Sequence, residues 1–407
     1  MQEVNVLTPL LDFVSQLKGT IEEDLLALRA YLGNKDIKVR AENPAGGKQR
    51  VILFAERRNI TPLSKACGGL VFEYPGWEVL ARGPPLISIS GGTKNLAKNL
   101  EQYKIYKIQD GTVVTLYYYG GWQMASMHGI DVSSYQWMGD ITYAQALAKI
   151  MAIEGWSLDS LDTTLQYTIG FRHHHFHPLR KDPEASWLIQ VSRGATIIAN
   201  GESPMHVAGL KWQTPVQIPR FETNGRKTNN LAWMRSENET ALSNYVSSNG
   251  EEIHYGYLLR HPTKEDFLLE SSLHTFVRRT IYDLPRHGLT AANRIDYIIV
   301  RAYLSYKHRY DFRIVFPQFE NRIKSIDGIF DKLHREVMDR LKCSDVIAKA
   351  PGSFEEHVDM VAAMLVKDIN SFTAVNVMNA DGSEIVRDFI IDPKYLDNYH
   401  ALCSHHG

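Results

Sequence analysis

Tyr106-Lys107-Ile108-Gln109-Asp110-Gly111-Thr112, running on through the apolar stretch Val113–Tyr119 to Gly120-Gly121 and Trp122, organises the chain around it. Asp110-Gly111 reads as a turn between two β-runs. Gly120-Gly121 reads as the two-residue turn of a hairpin, because glycine takes positive φ without strain. Upstream stand Gly68-Gly69-Leu70-Val71-Phe72-Glu73 and Trp77-Glu78-Val79-Leu80-Ala81-Arg82-Gly83-Pro84. Strands are expected at Val51–Ala55, Leu70–Tyr74, Trp77–Ala81, Tyr103–Ile108, Thr112–Tyr119, Leu165–Phe171, Trp187–Val191, Ala195–Ala199 and Tyr255–Arg260.

Helices punctuate these runs. Thr20 and Glu23 form a capping-box pattern ahead of Ile21, Leu25, Leu28 and Leu32, with Gly33 as a C-cap. A second helix is expected over Thr142–Ile153, stopped by Gly155. The polar segment from Glu222 to Asn249 reads as a long loop or insertion. After Leu289 the pattern is helical to the end, with another capping box at Ser353/Glu356. The expected architecture is α+β: a domain with antiparallel sheets over residues 1–285, then a helical C-terminal domain over 286–407.

The chain has 407 residues, 45 Lys+Arg against 46 Asp+Glu, and 44% hydrophobic residues, which excludes wholesale disorder and a uniformly polybasic binder. Cys67, Cys343 and Cys403 are too few and too far apart for a disulfide framework, and they point to a reducing compartment. Cys67, followed by Gly68-Gly69 and with no base assigned, reads as a buried structural thiol. Met1–Asn5 lacks a signal-peptide pattern, and no apolar run approaches the roughly 20 residues that span a bilayer. A soluble protein of the cytoplasm or nucleus is expected, without a membrane partner.

The order of motifs from Gly68 to Asp131 resembles the adenylyltransferase domain of RNA ligases of the phage T4 type, within the covalent nucleotidyltransferases. Those proteins carry a Gly-Leu-Val-Phe strand, a Trp-hydrophobic-Ala/Ser-Arg-Pro strand, then Lys-x-Asp-Gly-Ser/Thr. The resemblance covers roughly residues 64–275. It implies a ligase-type nucleotidyltransferase fold, ATP and Mg²⁺ as cofactors if the protein is active, and a lysine that attacks the α-phosphate. Such an amine must lose its proton near neutral pH, which needs burial or neighbouring cations. The Tyr-rich hairpin is also similar to ligase-like proteins of large cytoplasmic DNA viruses, among them iridovirus immediate-early proteins.

Four motifs depart from the family. The position two before Asp110 is Ile108, and Lys107 stands one further back; on a strand that shift turns a side chain to the opposite face. Either a bulge restores Lys107 or the nucleophile is missing. A Phe-Glu pair is replaced by Phe171-Arg172, with no acid through Pro178. Tyr255 stands where an acid precedes Gly256, with Glu252 three residues earlier, and no lysine remains in Phe267–Ser272, where Lys-x-Lys would fall. The resemblance assigns Lys107 as the catalytic candidate. It assigns Arg82, Asp110, Gly111, Thr112, Glu252 and Gly256 to nucleotide binding.

Two further features come from the residues themselves. In the tract His173, His174, His175 and His177, the first, third and fourth would share a face on a strand, but nothing completes a metal site and no metal is assigned. Arg278–Arg313 carries a net +5, with Arg278, Arg279, Arg294, Arg301, Lys307 and Arg309 interleaved with Tyr303, Tyr306, Tyr310 and Phe312. Arginines for phosphate beside aromatic faces for unpaired bases compose a single-strand platform, so single-stranded RNA or DNA is the expected partner. A helical interface with buried tyrosines is the alternative. The functional reading is a degenerate, nucleic-acid-binding ligase relative. An active end-joining enzyme and a structural or regulatory viral protein are the two alternatives.

Overall fold

A computed structural model describes residues 3–33, 36–42, 48–55, 61–84, 100–136, 141–174, 179, 182–216, 222–223, 226–227, 230–260, 266–282, 303, 309–325, 327–328, 331–332 and 335. The chain divides into two compact units, Met1–Phe276 and Val277–Gly407.

The first unit opens with helices α1 (Glu3–Val14) and α2 (Ile21–Leu32). The Thr20–Glu23 capping box is present, and Gly33 closes α2 with its amide on the Arg29 carbonyl. Strands β1 (Ile37–Glu42), β2 (Arg50–Ala55), β3 (Leu70–Glu73) and β4 (Val79–Arg82) form an antiparallel sheet in chain order, with the short α3 (Pro62–Ala66) between β2 and β3. Side chains alternate along these strands. Val51, Leu53, Leu70 and Phe72 pack against Leu7, Leu10, Leu28 and Leu32 of the helices, together with the fully buried Cys67. Ile52 and Val71 face the other way, toward Tyr117, Ala125 and Ile130.

That second face meets a five-stranded antiparallel sheet of β6 (Thr112–Tyr118), β7 (Trp122–Ala125), β8 (Gln166–Arg172), β9 (Ala185–Arg193) and β10 (Thr196–Asn200), in the order β10-β9-β8-β6-β7. Gly120 (φ 64°) and Gly121 (φ 146°) make the β6–β7 turn. On its far side the sheet buries Val114, Leu116, Ile169, Phe171 and Leu188 under α4 (Tyr143–Glu154). Thr142 caps α4, and Gly155 ends it in the left-handed region. Expected strand bounds hold to within about two residues; Trp77, expected inside a strand, has φ 55° and β4 begins at Val79. β1 was not anticipated.

A smaller sheet follows the order β14-β13-β5, from β5 (Lys104–Lys107), β13 (Gly256–Arg260) and β14 (Phe267–Glu270). β11 (Glu222–Thr223) and β12 (Arg226–Lys227) are a two-residue pair. The region expected as a loop from Glu222 contains an 18-residue helix, α5 (Asn230–Ser247). Leu231, Met234, Asn238, Ala241 and Tyr245 are its buried residues, at alternating steps of three and four. One apolar residue per turn, interrupted by Asn238, hides that stripe among polar neighbours. Asn238 earns its burial by donating to the Leu269 carbonyl at 2.9 Å and meeting His254 Nε2 at 2.8 Å. α6 (Ser272–Val277) follows β14 and runs into a π-helical turn, Arg278–Tyr282.

In the second unit, α7 (Arg309–Val315) and the turn Pro317–Phe319 surround buried Tyr303, Phe312, Val315, Phe316 and Ile323. Most of the helical domain expected over 286–407 lies outside the described residues.

Gly170 on β8 lies under the indole of Trp187 on β9, and a Cβ there would be driven into the ring. Gly170→Ala should therefore cost about 1–3 kcal/mol of stability through overpacking, read as a lower urea midpoint with an unchanged slope.

A charged network around the Asp110 turn

The polar inner face of the five-stranded sheet positions the site. Arg82, at the end of β4, is 2% exposed. Its amide donates to Gln166 Oε1 at 3.1 Å, and its carbonyl accepts from Thr168 Oγ1 at 3.3 Å and Gln190 Nε2 at 3.4 Å. The guanidinium donates to the Ala195 carbonyl. Arg82 is thus sealed between sheets, neither a surface arginine nor one lying beside Asp110.

Further along the same face, Arg172 ends β8. Its Nη1 is 2.6 Å from Asp182 Oδ2 and 3.4 Å from the Asp110 carbonyl, its Nε donates to the Pro183 carbonyl at 2.8 Å, and its guanidinium lies 5.8 Å over the Trp187 ring. Tyr255 donates to the same Asp182 oxygen at 2.8 Å and meets His274 edge-on. His274, on α6, places Nε2 3.9 Å from Asp110 Oδ1 and Nδ1 3.2 Å from Glu270 Oε1, the latter off the line of a hydrogen bond. Arg172 and Tyr255, which stand where the motifs expect acids, thus meet Asp110, Asp182, Glu270 and His274 in one network. Burial, then the Asp182 charge, pushes the Tyr255 hydroxyl well above its ordinary 10.

Gly111 and Thr112 continue from Asp110 into β6, where Thr112 pairs with Phe171. A Cβ on Gly111 would stand 2.6 Å from the Phe171 carbonyl oxygen and 2.7 Å from the Trp187 ring, so only glycine fits. Gly256 begins β13 at φ 114° and its carbonyl accepts from the Ile108 amide at 3.0 Å. Asp110, Gly111, Thr112 and Gly256 are therefore neighbours. Glu252 is apart: it is exposed after α5, with its amide on Ser248 Oγ.

Lys107 occupies the other side of its sheet. The β5–β13 ladder is unbroken, pairing Tyr257 with Lys107 and Leu258 with Tyr106. Paired residues share a face, so Lys107 stands with Tyr257 and Ile105, which pack under α5. Tyr106 shares its face with Leu258, Leu268 and Glu270. No bulge restores the lysine. Lys107 is also felt by His254, whose pKa is lowered by burial, with Glu237 opposing and Lys107 adding to the shift.

The histidine tract does not continue β8, which ends at Arg172, so strand alternation is lost there. His173 is buried with Nε2 3.3 Å from Glu184, and the His174 amide donates to Glu184 at 3.1 Å. His175 and His177 lie outside the described residues. So do Arg294, Arg301, Lys307 and Tyr306 of the basic band, and only the main chain of Arg309 and Tyr310 is described. Arg278 and Arg279 lie in the π-helical turn, with Arg279 exposed. Tyr303 and Phe312 are core residues, Tyr303 bonding Asp327 at 2.8 Å, and Arg313 pairs with Asp327. The Tyr303 and Phe312 side chains therefore face this core rather than solvent.

The donor set around Asp110 does not fit Mg²⁺ with a nucleotide triphosphate. Asp182 serves Arg172 and Tyr255, Asp110 and Glu270 flank His274, and an arginine and a tyrosine hold the expected acid positions. Among the described residues no three His, Cys, Asp or Glu side chains gather as a metal would need.

No protein-family model matches the chain. Its sequence is similar to a protein of African swine fever virus (Tick/Malawi isolate) named "Putative RNA-ligase", 27% identical over 89% of this chain and 85% of the relative. A protein of the same name from the Badajoz strain is 29% identical, over 63% of each chain, so this chain spans less than two thirds of that relative. Solved structures similar to it include two forms of an archaeal ATP-dependent RNA ligase. Their TM-scores are 0.41 and 0.40 and identities 11% and 12%, covering 88% and 78% of this chain and 90% and 82% of theirs. No described helix is long and apolar enough to cross a membrane.

Asp182→Asn should destabilise the protein by about 3–5 kcal/mol, because it strands the buried Arg172 charge; urea unfolding measures the loss. Alkaline pH acts on the buried tyrosines. Burial pushes Tyr106 and Tyr245 up to about 12. Above pH about 10 the unfolded chain loses phenolic protons that the folded chain keeps. Their stabilisation should be full below pH about 10 and fall as pH climbs toward about 12, tracked by unfolding midpoint and tyrosinate absorbance.

Proposed function

We propose that this chain is a viral, catalytically silent relative of RNA ligases that keeps the nucleotidyltransferase scaffold and binds single-stranded nucleic acid inside the host cell. One observation carries the catalytic part: the unbroken β5–β13 register puts Lys107 on the α5 face, opposite the face that holds Glu270, whose neighbour His274 stands beside Asp110. A lysine there is exposed to solvent rather than buried in a cation-lined pocket that would hold a nucleotide phosphate. The network supports the same reading, since Arg172 and Tyr255 bind Asp182 instead of a metal-bridged phosphate.

Nucleic-acid binding rests on the ligase names of the relatives and on the net +5 of Arg278–Arg313. In this reading Arg278, Arg279, Arg294, Arg301, Lys307 and Arg309 contact phosphates, and Tyr306 and Tyr310 stack on bases.

Incubation with Mg²⁺ and α-labelled ATP or GTP, followed by denaturing electrophoresis, should leave the protein unlabelled. A stable label abolished by Lys107→Ala would overturn the silent reading and establish an active lysyl-nucleotide ligase. Filter binding should show single-stranded RNA or DNA bound with a steep salt dependence, weakened by Arg301→Ala and Arg309→Ala. Absence of binding at low salt would sink that part and favour a protein-contact role.

A further inference from the structure

The Tyr106 face of the small sheet carries a second group of charges, at the end away from Glu270. Lys104 and Arg260 are direct cross-strand partners on this face. Like charges placed opposite one another cost stability. The Arg260 guanidinium lies 5.2 Å over the Tyr106 ring, with its Nε buried and lacking a hydrogen-bond partner. Neither cation has a carboxylate partner among the described residues.

Beside Lys104 opens a cavity of about 380 Å³, bounded by Tyr103, Gly201, Glu202, Pro215 and Val216. That volume is within the range of small-ligand sites, roughly 300–1,000 Å³. Its walls differ in chemistry. Tyr103, Pro215 and Val216 present apolar and aromatic surface to a planar ring. Glu202, which the Tyr106 hydroxyl meets at 3.5 Å, is an acceptor for hydroxyl groups. Gly201 lets the turn after β10 close against the Gln213 carbonyl and the Tyr106 ring, which shapes the cavity floor.

We infer that Lys104 and Arg260 hold the phosphate of one ribonucleotide unit of a single-stranded RNA, with its base in this cavity and its ribose hydroxyls on Glu202. An anion between the two cations removes the like-charge penalty and supplies the acceptor that Arg260 Nε lacks. The carboxylate selects ribose over deoxyribose, because the 2′-hydroxyl is the donor that distinguishes them. The site rests on the nucleic-acid reading above. It uses neither Lys107 nor the Asp110 network.

The test is fluorescence anisotropy of the full chain with a labelled oligouridylate and its deoxy counterpart across a KCl series. Lys104→Gln and Arg260→Gln should each weaken RNA binding roughly tenfold and flatten the logarithmic salt slope by about 0.7, one phosphate contact's share on a single strand. Val216→Trp, which fills the cavity, should weaken binding without altering the slope. Glu202→Ala should erase a preference for RNA over DNA. Without RNA, Lys104→Gln should raise the melting midpoint by relieving the cation pair, a gain that a purely structural lysine would not give.

If wild type binds RNA and the charge and cavity variants bind equally well, the site is wrong and the nucleic-acid reading stands. If wild type fails to bind at low salt, both fall. Equal wild-type affinity for RNA and DNA overturns the Glu202 role. Lys104 is exposed, so its variant carries the test should Arg260→Gln fail to fold.

Discussion

Arg82 enters the space between the four- and five-stranded sheets with a side chain that water scarcely reaches, and the polar inner face of β6, β8 and β9 exists to receive it. Gln166, Thr168 and Gln190 bind the main chain at this residue, while Thr115 and Ser192 complete the seam through Thr168 and Gln166. A buried peptide unit or guanidinium without such partners would cost several kcal/mol. The seam therefore fixes how β4 lies across β8, and with it the position of the strand end that carries Arg172. An all-apolar interface would bring the sheets together without specifying that registry.

Parity along the strands then distributes function. β5 is only four residues long, yet its even positions, Lys104 and Tyr106, and its odd positions, Ile105 and Lys107, serve different surfaces. The odd set closes the core under α5, where Tyr257 hands its hydroxyl to Glu237. The even set faces the charged end of the sheet. One residue of displacement relative to the ligase pattern is enough to exchange the two. With Lys107 on the α5 face, the acids and bases around Asp110 satisfy one another, which is how a buried polar cluster avoids unpaired charge.

Much of the architecture was legible because the signals were local. The capping boxes at Thr20 and Thr142, the glycine stops at Gly33 and Gly155 and the Gly120-Gly121 turn each require only neighbouring residues. The parity argument for Lys107 was legible as well, leaving one question, bulge or no bulge, to the pairing partner. What escaped notice is non-local or disguised. α5 spends a buried position on Asn238, whose partners lie on β14 and at His254. Asp182 carries no motif; it matters because the loop after β8 returns it to Arg172 and Tyr255. The aromatic spacing of the basic band had two meanings, and Tyr303 and Phe312 take the apolar one because a small core needs them.

Trp187 lies against Gly170 and against Gly111, in the turn before β6, and beneath Arg172. Each contact is ordinary packing, but together they tie positions on β8 and β9, and the turn that leads into β6, into one unit of inheritance. While residue 187 is tryptophan, neither glycine can acquire a side chain. Were 187 to shrink, Gly170 would be released and Arg172 would lose the surface it rests on, whereas Gly111 would stay bound to glycine by the Phe171 carbonyl. Change at 170, 172 or 187 is therefore conditional on the other two, so lineages should cross between a filled and an open arrangement abruptly rather than by gradual drift.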